Sequence, residues 1–295
     1  MPGAVLVAAV AMVVLGEWSA LVANNVVYPL TLLAALLLGL WLLRSGARRS
    51  TPARRGAVRT SARVLAAAAG IGLAAALLWL KPWVATPVAL DALAAGGTVT
   101  VSDSRAETVY APSATPRAGL VLYGGALVDS RAYSVLATKV AERGYRVVVV
   151  KCPYDLELLC PNAAAAYVDT TMPWAVGGHS LGGVAASGFA GRQAEVRGLV
   201  LWASYPVSDL SARTGLATVS ITGTEDGLAT PAKVDERRPL MPPGSVFTPI
   251  TGGIHSFFGD YGLQPGDGTP TISRADAQAQ IVDATVALLD RIAGT

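Results

Sequence analysis

The sequence predicts an α/β fold, in which a mostly parallel sheet is flanked by helices, preceded by an all-α transmembrane segment. Three observations support this prediction. Of 295 residues, 52% are hydrophobic and 15% are charged, and the apolar excess lies near the N-terminus. Farther on, buried-type strands alternate with amphipathic helices, the pattern of a parallel sheet covered on both faces. Within this alternating region lies the strand-turn-helix signature Gly-His-Ser-Leu-Gly. The predicted divisions are a transmembrane segment at 1–85, a linker at 86–97 and an α/β domain at 98–295.

Three apolar runs, at 4–15, 26–43 and 64–80, make up the N-terminal segment. A membrane-spanning helix needs about 20 apolar residues, so the second and third runs qualify with their flanks. The first run is short because Glu17 follows it. A signal peptide is disfavoured, since no basic start or clear cleavage site is present. We expect two or three helices in a lipid bilayer; the alternative is a buried helical hairpin in a soluble protein.

The segment 44–63 contains seven Arg and no Asp or Glu. This bias predicts a cytoplasmic loop in a multi-pass protein of the cell membrane, with everything after about Trp83 on the extracytoplasmic side. A solvated linker or a patch for anionic lipids would leave that topology unchanged. Residues 1–90 carry a balance of +7 and the whole chain +3, so the remainder carries −4. Nothing in that remainder suggests a nucleic-acid surface.

The two cysteines, Cys152 and Cys160, are eight residues apart. In an oxidising compartment they could close a small loop with a disulfide. The alternative is two free thiols in a cytosolic protein. Their spacing is not C-x-x-C and no histidine is nearby, which argues against a zinc site.

The α/β domain opens with two alternating segments, 98–101 and 108–110, that predict an antiparallel pair. Buried strands are expected at 119–123 and 146–150, joined by a helix over 130–143 that ends at a glycine. Further strands are predicted at 174–176, 199–203, 217–221 and 245–250, and a closing helix at 275–292.

Ser180 lies at the centre of the pattern G-x-S-x-G. In a nucleophile elbow a strand turns sharply into a helix, and the serine at the apex is strained so that its hydroxyl is exposed. The residues two before and two after it must be very small, and Gly178 and Gly182 meet that requirement. The alternative is a glycine-rich turn that happens to contain a serine.

An acid and a base follow Ser180 in the order that a nucleophile elbow requires. Asp226, beside Glu225, lies in a turn after a predicted strand, where an ordinary Asp-Gly turn is the alternative. The chain has two histidines. His179 precedes the serine and is expected to be a packed, hydrogen-bonded core residue. His255, on a glycine-rich loop after the last strand, is therefore the candidate base.

Backbone N–H groups are needed to bind an oxyanion. One candidate is Leu181, at the start of the helix after the serine. The other comes from the turn after the first buried strand, where Ala126 or Gly125 could donate. A tight turn with no such role is the alternative.

With these motifs in place, residues 119–292 resemble the small α/β-hydrolase family of the lidless, dienelactone-hydrolase-like kind. The resembling stretches are 123–129, 177–183, 222–227 and 252–262, and 266–273 looks like a membrane-associated or secreted bacterial branch. The resemblance implies an α/β-hydrolase fold with Ser180 as nucleophile, Asp226 as acid and His255 as base. The N-terminal helices and the cysteine pair depart from the family pattern and bear on compartment.

We therefore expect a membrane-anchored serine hydrolase that cleaves carboxylic esters through an acyl-enzyme on Ser180. Because few residues separate Trp202 from Ala217, no large lid is expected, and small or amphiphilic esters are the expected substrates. The alternatives are a catalytically silent interaction or scaffold protein and an acyltransferase using the same residues. No cofactor or metal is expected, since phosphate-loop, dinucleotide and metal-ligand motifs are missing from the sequence. Gly266-Asp267-Gly268 lacks the further acids of a calcium loop and is interpreted as a turn.

Overall fold

The computed structural model describes residues 2–47, 57–94 and 96–294. The chain divides into two units, residues 1–82 and 83–295, each of which is described by itself. Of the predicted basic loop, residues 48–56 lie outside the described residues.

Among its described residues, the N-terminal unit contains three helices, Pro2–Ala23 (α1), Val27–Ala47 (α2) and Ala57–Trp79 (α3). Helix α1 packs against both of the others. By length and composition α1 and α2 are apolar enough to cross a membrane, whereas the apolar part of α3 covers only 64–79. Helices of this length and composition occur in membrane anchors, in signal sequences and in the cores of soluble proteins.

Helix α1 is longer than the first apolar run predicts because it continues through Glu17. The backbone at Glu17 leaves helical geometry, with φ −123° and ψ 19°. Its buried carboxylate lies 2.6 Å from the Nζ of Lys81. Pairing the charge lowers the cost of burying this carboxylate among apolar side chains.

Among the described residues, the C-terminal unit contains an eight-stranded sheet in the order β1-β2-β4-β3-β5-β6-β7-β8. The strands are Val99–Asp103 (β1), Glu107–Pro112 (β2), Gly119–Tyr123 (β3), Arg146–Val150 (β4), Trp174–His179 (β5), Val196–Trp202 (β6), Ala217–Gly223 (β7) and Val246–Ile250 (β8). β2 is antiparallel to β1 and to β4, and every other neighbouring pair is parallel. The predicted mostly parallel sheet is confirmed.

Helices cover both faces of this sheet. They are Pro87–Leu93 (α4), Ser134–Glu142 (α5), Leu181–Arg192 (α6), Pro231–Arg237 (α7) and Arg274–Ala293 (α8). Leu136 of α5 and Ile281 of α8 belong to one apolar core, and Phe189 of α6 belongs to the core on the opposite face. The Trp202 indole N–H donates to the Thr285 hydroxyl (3.0 Å) and fixes α8 to β6.

The segment predicted as a linker contains α4, which begins at Pro87, a residue whose fixed φ suits a first helical turn. The residues just before it also pack on the C-terminal unit. The Trp83 N–H donates to the carbonyl of Leu127 (2.6 Å), and the Thr86 N–H donates to that of Asp260 (2.8 Å). The unit therefore begins before the predicted linker, with its first residues against loops at the carboxyl edge of the sheet.

Candidate active site

Ser180 occupies the sharp turn between β5 and α6. Its backbone has φ 52° and ψ −120°, in a region that side-chain-bearing residues rarely adopt. Its N–H donates to the carbonyl of Trp202 (2.9 Å), and the Ser204 hydroxyl donates to its carbonyl (2.6 Å). Bonds from β6 and the residues after it hold the strained conformation in place. This is the geometry of a nucleophile elbow.

Asp226 and His255 form a buried hydrogen-bonded pair. His255 Nδ1 lies 2.8 Å from Asp226 Oδ2, and both side chains are almost fully buried. The other carboxylate oxygen accepts the N–H groups of Leu228 (2.8 Å) and Ala229 (2.7 Å). The neighbouring Glu225 is exposed and contacts a threonine hydroxyl instead. With Nδ1 donating to Asp226, the Nε2 atom of His255 is the hydrogen-bond acceptor.

The His255 imidazole lies beside the elbow. Its ring centroid is 4.6 Å from that of His179, the residue directly before Ser180. Asp226 follows Ser180 by 46 positions in the chain, and His255 follows Asp226 by 29, while His179 directly precedes Ser180. The fold gathers these residues at the carboxyl ends of β5, β7 and β8. Sequence order alone predicts the partners, and the fold brings Asp226 and His255 into contact.

His179 is fully buried and joins a small network around the turn after β3. The Gly125 N–H donates to the Tyr133 hydroxyl (2.6 Å), whose oxygen is hydrogen-bonded to His179 Nδ1 (3.0 Å). Burial, followed by the nearby His255, lowers the pKa of His179 well below its usual value. His179 is therefore neutral. Tyr133, which no sequence motif indicated, links it to the turn.

This network distinguishes Gly125 from Ala126 and Leu181, the other two predicted oxyanion donors. Gly125 uses its N–H on Tyr133 and is not free to bind an oxyanion in this conformation. Ala126 is the next residue of the same turn. Leu181 is the first residue of α6, and the first N–H groups of a helix lack acceptors within it. Of the predicted set, Gly125 already has an acceptor for its N–H, while Ala126 and Leu181 stay predictions.

Asp267, predicted only as part of a turn, connects the loops that carry Asp226 and His255. Its carboxylate accepts the N–H groups of His255 (3.0 Å) and Ser256 (2.8 Å) and the Ser256 hydroxyl (2.5 Å). It also accepts the N–H of Gly227, one residue after Asp226, at 3.4 Å. Partial burial raises the pKa of Asp267, but these hydrogen bonds outweigh it and hold the pKa below its usual value.

We expect Asp267→Asn to lower kcat about 100-fold on a soluble ester with little change in KM, because small displacements of a catalytic group are costly. The asparagine side chain cannot accept all of these hydrogen bonds, so the loop that carries His255 shifts. The surface that binds the substrate is unchanged, which is why KM changes little. Steady-state kinetics and the pH dependence of kcat/KM would measure the effect. Asp276→Asn, on an exposed helix start, is the matched control. A kcat loss that merely follows loss of folded protein would contradict a positioning role.

Cys152 and Cys160 form a disulfide, with Cα atoms 5.7 Å apart. The loop that it closes buries two carboxyl groups, Asp155 and Glu157. Glu157 packs against the turn after β3, since a Cβ added to Gly124 would lie 3.1 Å from Glu157 Oε1. Its other oxygen is buried without a hydrogen-bond partner among the described residues. Burial, followed by the nearby Asp155, raises the pKa of Glu157 well above its usual value.

Raised pKa values make stability depend on pH. Above the unfolded value of about 4.5, the folded chain keeps the Glu157 proton that the unfolded chain loses. The free energy of unfolding therefore falls by about 1.4 kcal/mol per pH unit until the raised pKa is reached. Replacing Glu157 by Gln removes this contribution, so we expect a smaller loss of thermal stability between about pH 5 and about pH 7. The exposed Glu142→Gln is the control; equal pH slopes for native chain and Glu157→Gln would contradict the assignment.

The connection from β6 to β7, residues 203–216, is described throughout and contains no helix or strand. Within the described residues, no group of three or more His, Cys, Asp or Glu side chains is placed to hold a metal ion.

Comparison with known proteins agrees with this architecture. The sequence profile of the alpha/beta hydrolase family matches residues 119–279, more than half of the chain. The crystal structure of TT1662 from Thermus thermophilus is similar, with 15% sequence identity and a TM-score of 0.50, over 67% of this chain and 99% of that one. At that identity the similarity shows the fold alone. The comparison with curated proteins finds no match.

Fold and site together define an α/β protein with a nucleophile elbow at the carboxyl edge of a parallel sheet. The chain belongs to the alpha/beta hydrolase family. The family resemblance predicted from the sequence is confirmed, and it supports a hydrolase-type function.

Proposed function

We propose that this protein is a membrane-anchored serine hydrolase that cleaves carboxylic esters through an acyl-enzyme on Ser180. The observation that carries the proposal is the buried Asp226–His255 hydrogen bond of 2.8 Å. The His255 ring lies 4.6 Å from that of His179, the residue directly before a serine with φ 52°. A strained serine, an imidazole and a buried carboxylate in this chain order are the parts that acyl transfer requires.

The reaction follows from the atoms involved. His255 Nε2 takes the Ser180 hydroxyl proton as Oγ attacks the ester carbonyl, and Asp226 stabilises the resulting imidazolium. The N–H groups of Leu181 and Ala126 bind the oxyanion. Collapse of this intermediate breaks the ester C–O bond, and His255 gives its proton to the departing alcohol. Water, activated by His255, then attacks the acyl-enzyme, which releases the acid and restores Ser180.

The short connection at 203–216 supports an open site, because it carries no helical lid. Small or amphiphilic esters fit such a site better than long chains that must be enclosed. The N-terminal helices provide the anchor in this proposal.

Labelling with a fluorophosphonate probe tests the function on the full chain in detergent. We expect the native chain and the exposed-loop control Ser211→Ala to be labelled, and Ser180→Ala to remain unlabelled. Folded native chain that does not react would favour an interaction or scaffold role, whereas Ser180→Ala that is still labelled would rule out Ser180 as the nucleophile. Product analysis with added alcohols separates hydrolysis from acyl transfer.

We also propose that the C-terminal unit lies on the extracytoplasmic side. The arginines of the segment 44–63 and the Cys152–Cys160 disulfide support this location. Alkylation of unlysed cells and membranes, with and without reductant, tests it. We expect both thiols to react only after reduction; thiols that react without reductant would place the unit in the cytoplasm.

A further inference from the structure

Exposed apolar side chains are concentrated on one edge of the C-terminal unit. Among its described residues, the exposed large hydrophobic side chains are Val84, Val88, Leu158, Leu159, Val207, Val246 and Leu263. Leu158 and Leu159 follow β4, Val207 follows β6, and Leu263 follows β8. Carboxyl ends of parallel strands share one edge of a sheet, so these four residues surround the edge that holds Ser180. We name Leu158, Leu159, Val207 and Leu263 the apolar edge.

The disulfide loop shows an unusual distribution of side chains. Its two acids, Asp155 and Glu157, are 5% and 2% exposed, whereas its two leucines, Leu158 and Leu159, are 52% and 56% exposed. A surface loop in water normally has the opposite arrangement. Burying Glu157 costs free energy, because one of its oxygens has no hydrogen-bond partner among the described residues. A loop with this arrangement is suited to contact with a nonpolar phase rather than with water.

The first residues of the C-terminal unit run along the same edge. Trp83 pairs with Val128, just after the turn that carries Ala126, and Ala85 pairs with Tyr261, on the loop after His255. Only residues 80–82 separate this segment from the last residue of α3. That stretch spans about 14 Å even when fully extended. A bilayer that held α3 would therefore be within reach of the active-site edge.

We propose that the apolar edge rests on the bilayer that anchors the N-terminal helices, and that the substrate is an acyl ester of a membrane lipid. The inference rests on the proposed function and adds the substrate class and its source. Ester carbonyls of lipids lie at the boundary between headgroups and acyl chains. Leucines inserted to that depth bring the boundary to Ser180, so a lipid reaches the serine without leaving the membrane. The two carboxyl groups of the disulfide loop, Asp155 and Glu157, are buried and do not face the bilayer.

Paired substrates test this proposal on the full chain reconstituted in phosphatidylcholine vesicles. One substrate is a fluorogenic diacyl lipid ester held in the vesicles, and the other is a soluble short-chain ester. The variants are the double change Leu158→Ser with Leu159→Ser, and Leu263→Ser. The control is Val246→Ser, whose side chain is similarly exposed (48%) but lies at the opposite end of β8.

We expect each edge variant to hydrolyse the vesicle lipid at least about tenfold more slowly, since exposed apolar area no longer enters the membrane. Hydrolysis of the soluble ester stays unchanged, and Val246→Ser retains both activities. Equal losses on both substrates, or no loss on the lipid, would overturn the proposal. So would variants that dissociate a dimer without slowing lipid hydrolysis, because the edge would then bind a second copy. A native chain without Ser180-dependent turnover of either ester would instead reject the proposed function.

Discussion

Asp226→Asn is expected to lower kcat/KM on a soluble ester by about 10⁴-fold with the fold retained. In the native chain one carboxylate oxygen accepts two backbone N–H groups, from Leu228 and Ala229, while the other accepts the His255 Nδ1–H. An asparagine keeps the first oxygen and turns its NH₂ towards Nδ1. The imidazole must then accept at Nδ1 and carry its hydrogen on Nε2, where it can no longer take a proton from Ser180.

The matched control is Glu225→Gln, because Glu225 is the adjacent acid and its exposed side chain does not contact His255. Steady-state kinetics and thermal unfolding are measured for both variants. We expect Glu225→Gln to stay within about twofold of the native rate, as exposed substitutions usually change little. Equal losses in the two variants, or Asp226→Asn with nearly native turnover, would remove Asp226 from the proposed mechanism.

The fold was predictable because its strongest signals are local. Runs such as Leu120–Tyr123 and Val147–Val150 are apolar on both sides, as strands buried on both faces must be, and glycines mark the elbow. The observed bounds of helices and strands differ from the predicted ones where tertiary contacts extend an element. β5 runs on to His179 because β6 pairs with it as far as Trp202. Helix α1 runs past Glu17 with a kink at that residue, whose carboxylate pairs with Lys81.

The supporting residues of the site were not predictable, since their role exists only in three dimensions. Asp267 is 41 positions from Asp226, and its short motif is that of an ordinary turn, but in the structure five donors converge on its carboxylate. Tyr133 appeared as one residue of a helix and proved to engage the Gly125 N–H. Glu157 belongs to no sequence motif and is buried. Sequence patterns show which side chains can carry the chemistry; packing decides which groups hold them.

Gly182→Ala is expected to destabilise the C-terminal unit by about 3 kcal/mol and to abolish ester hydrolysis in the protein that remains folded. A Cβ at this position would overlap the backbone carbonyl oxygens of Gly124 and Tyr123. Backbone atoms cannot swing aside as a flexible side chain can, so α6 must separate from the end of β3. That movement displaces the turn that carries Ala126 and separates it from Leu181, which divides the oxyanion donors that the mechanism requires.

Gly188→Ala, in the same helix, provides the control with the opposite sign. There an added Cβ would lie 3.4 Å from the Nη1 atom of Arg192, which is the end of a flexible side chain and can move. Alanine also has a higher helix propensity than glycine, so the substitution favours the helix. We expect this variant to be stabilised by about 0.5–1 kcal/mol and to keep native activity. Thermal unfolding and kinetics of the two variants distinguish close backbone approach from a general intolerance of α6. If Gly182→Ala behaved like Gly188→Ala, the contact between α6 and the turn after β3 would not be what holds the oxyanion donors together.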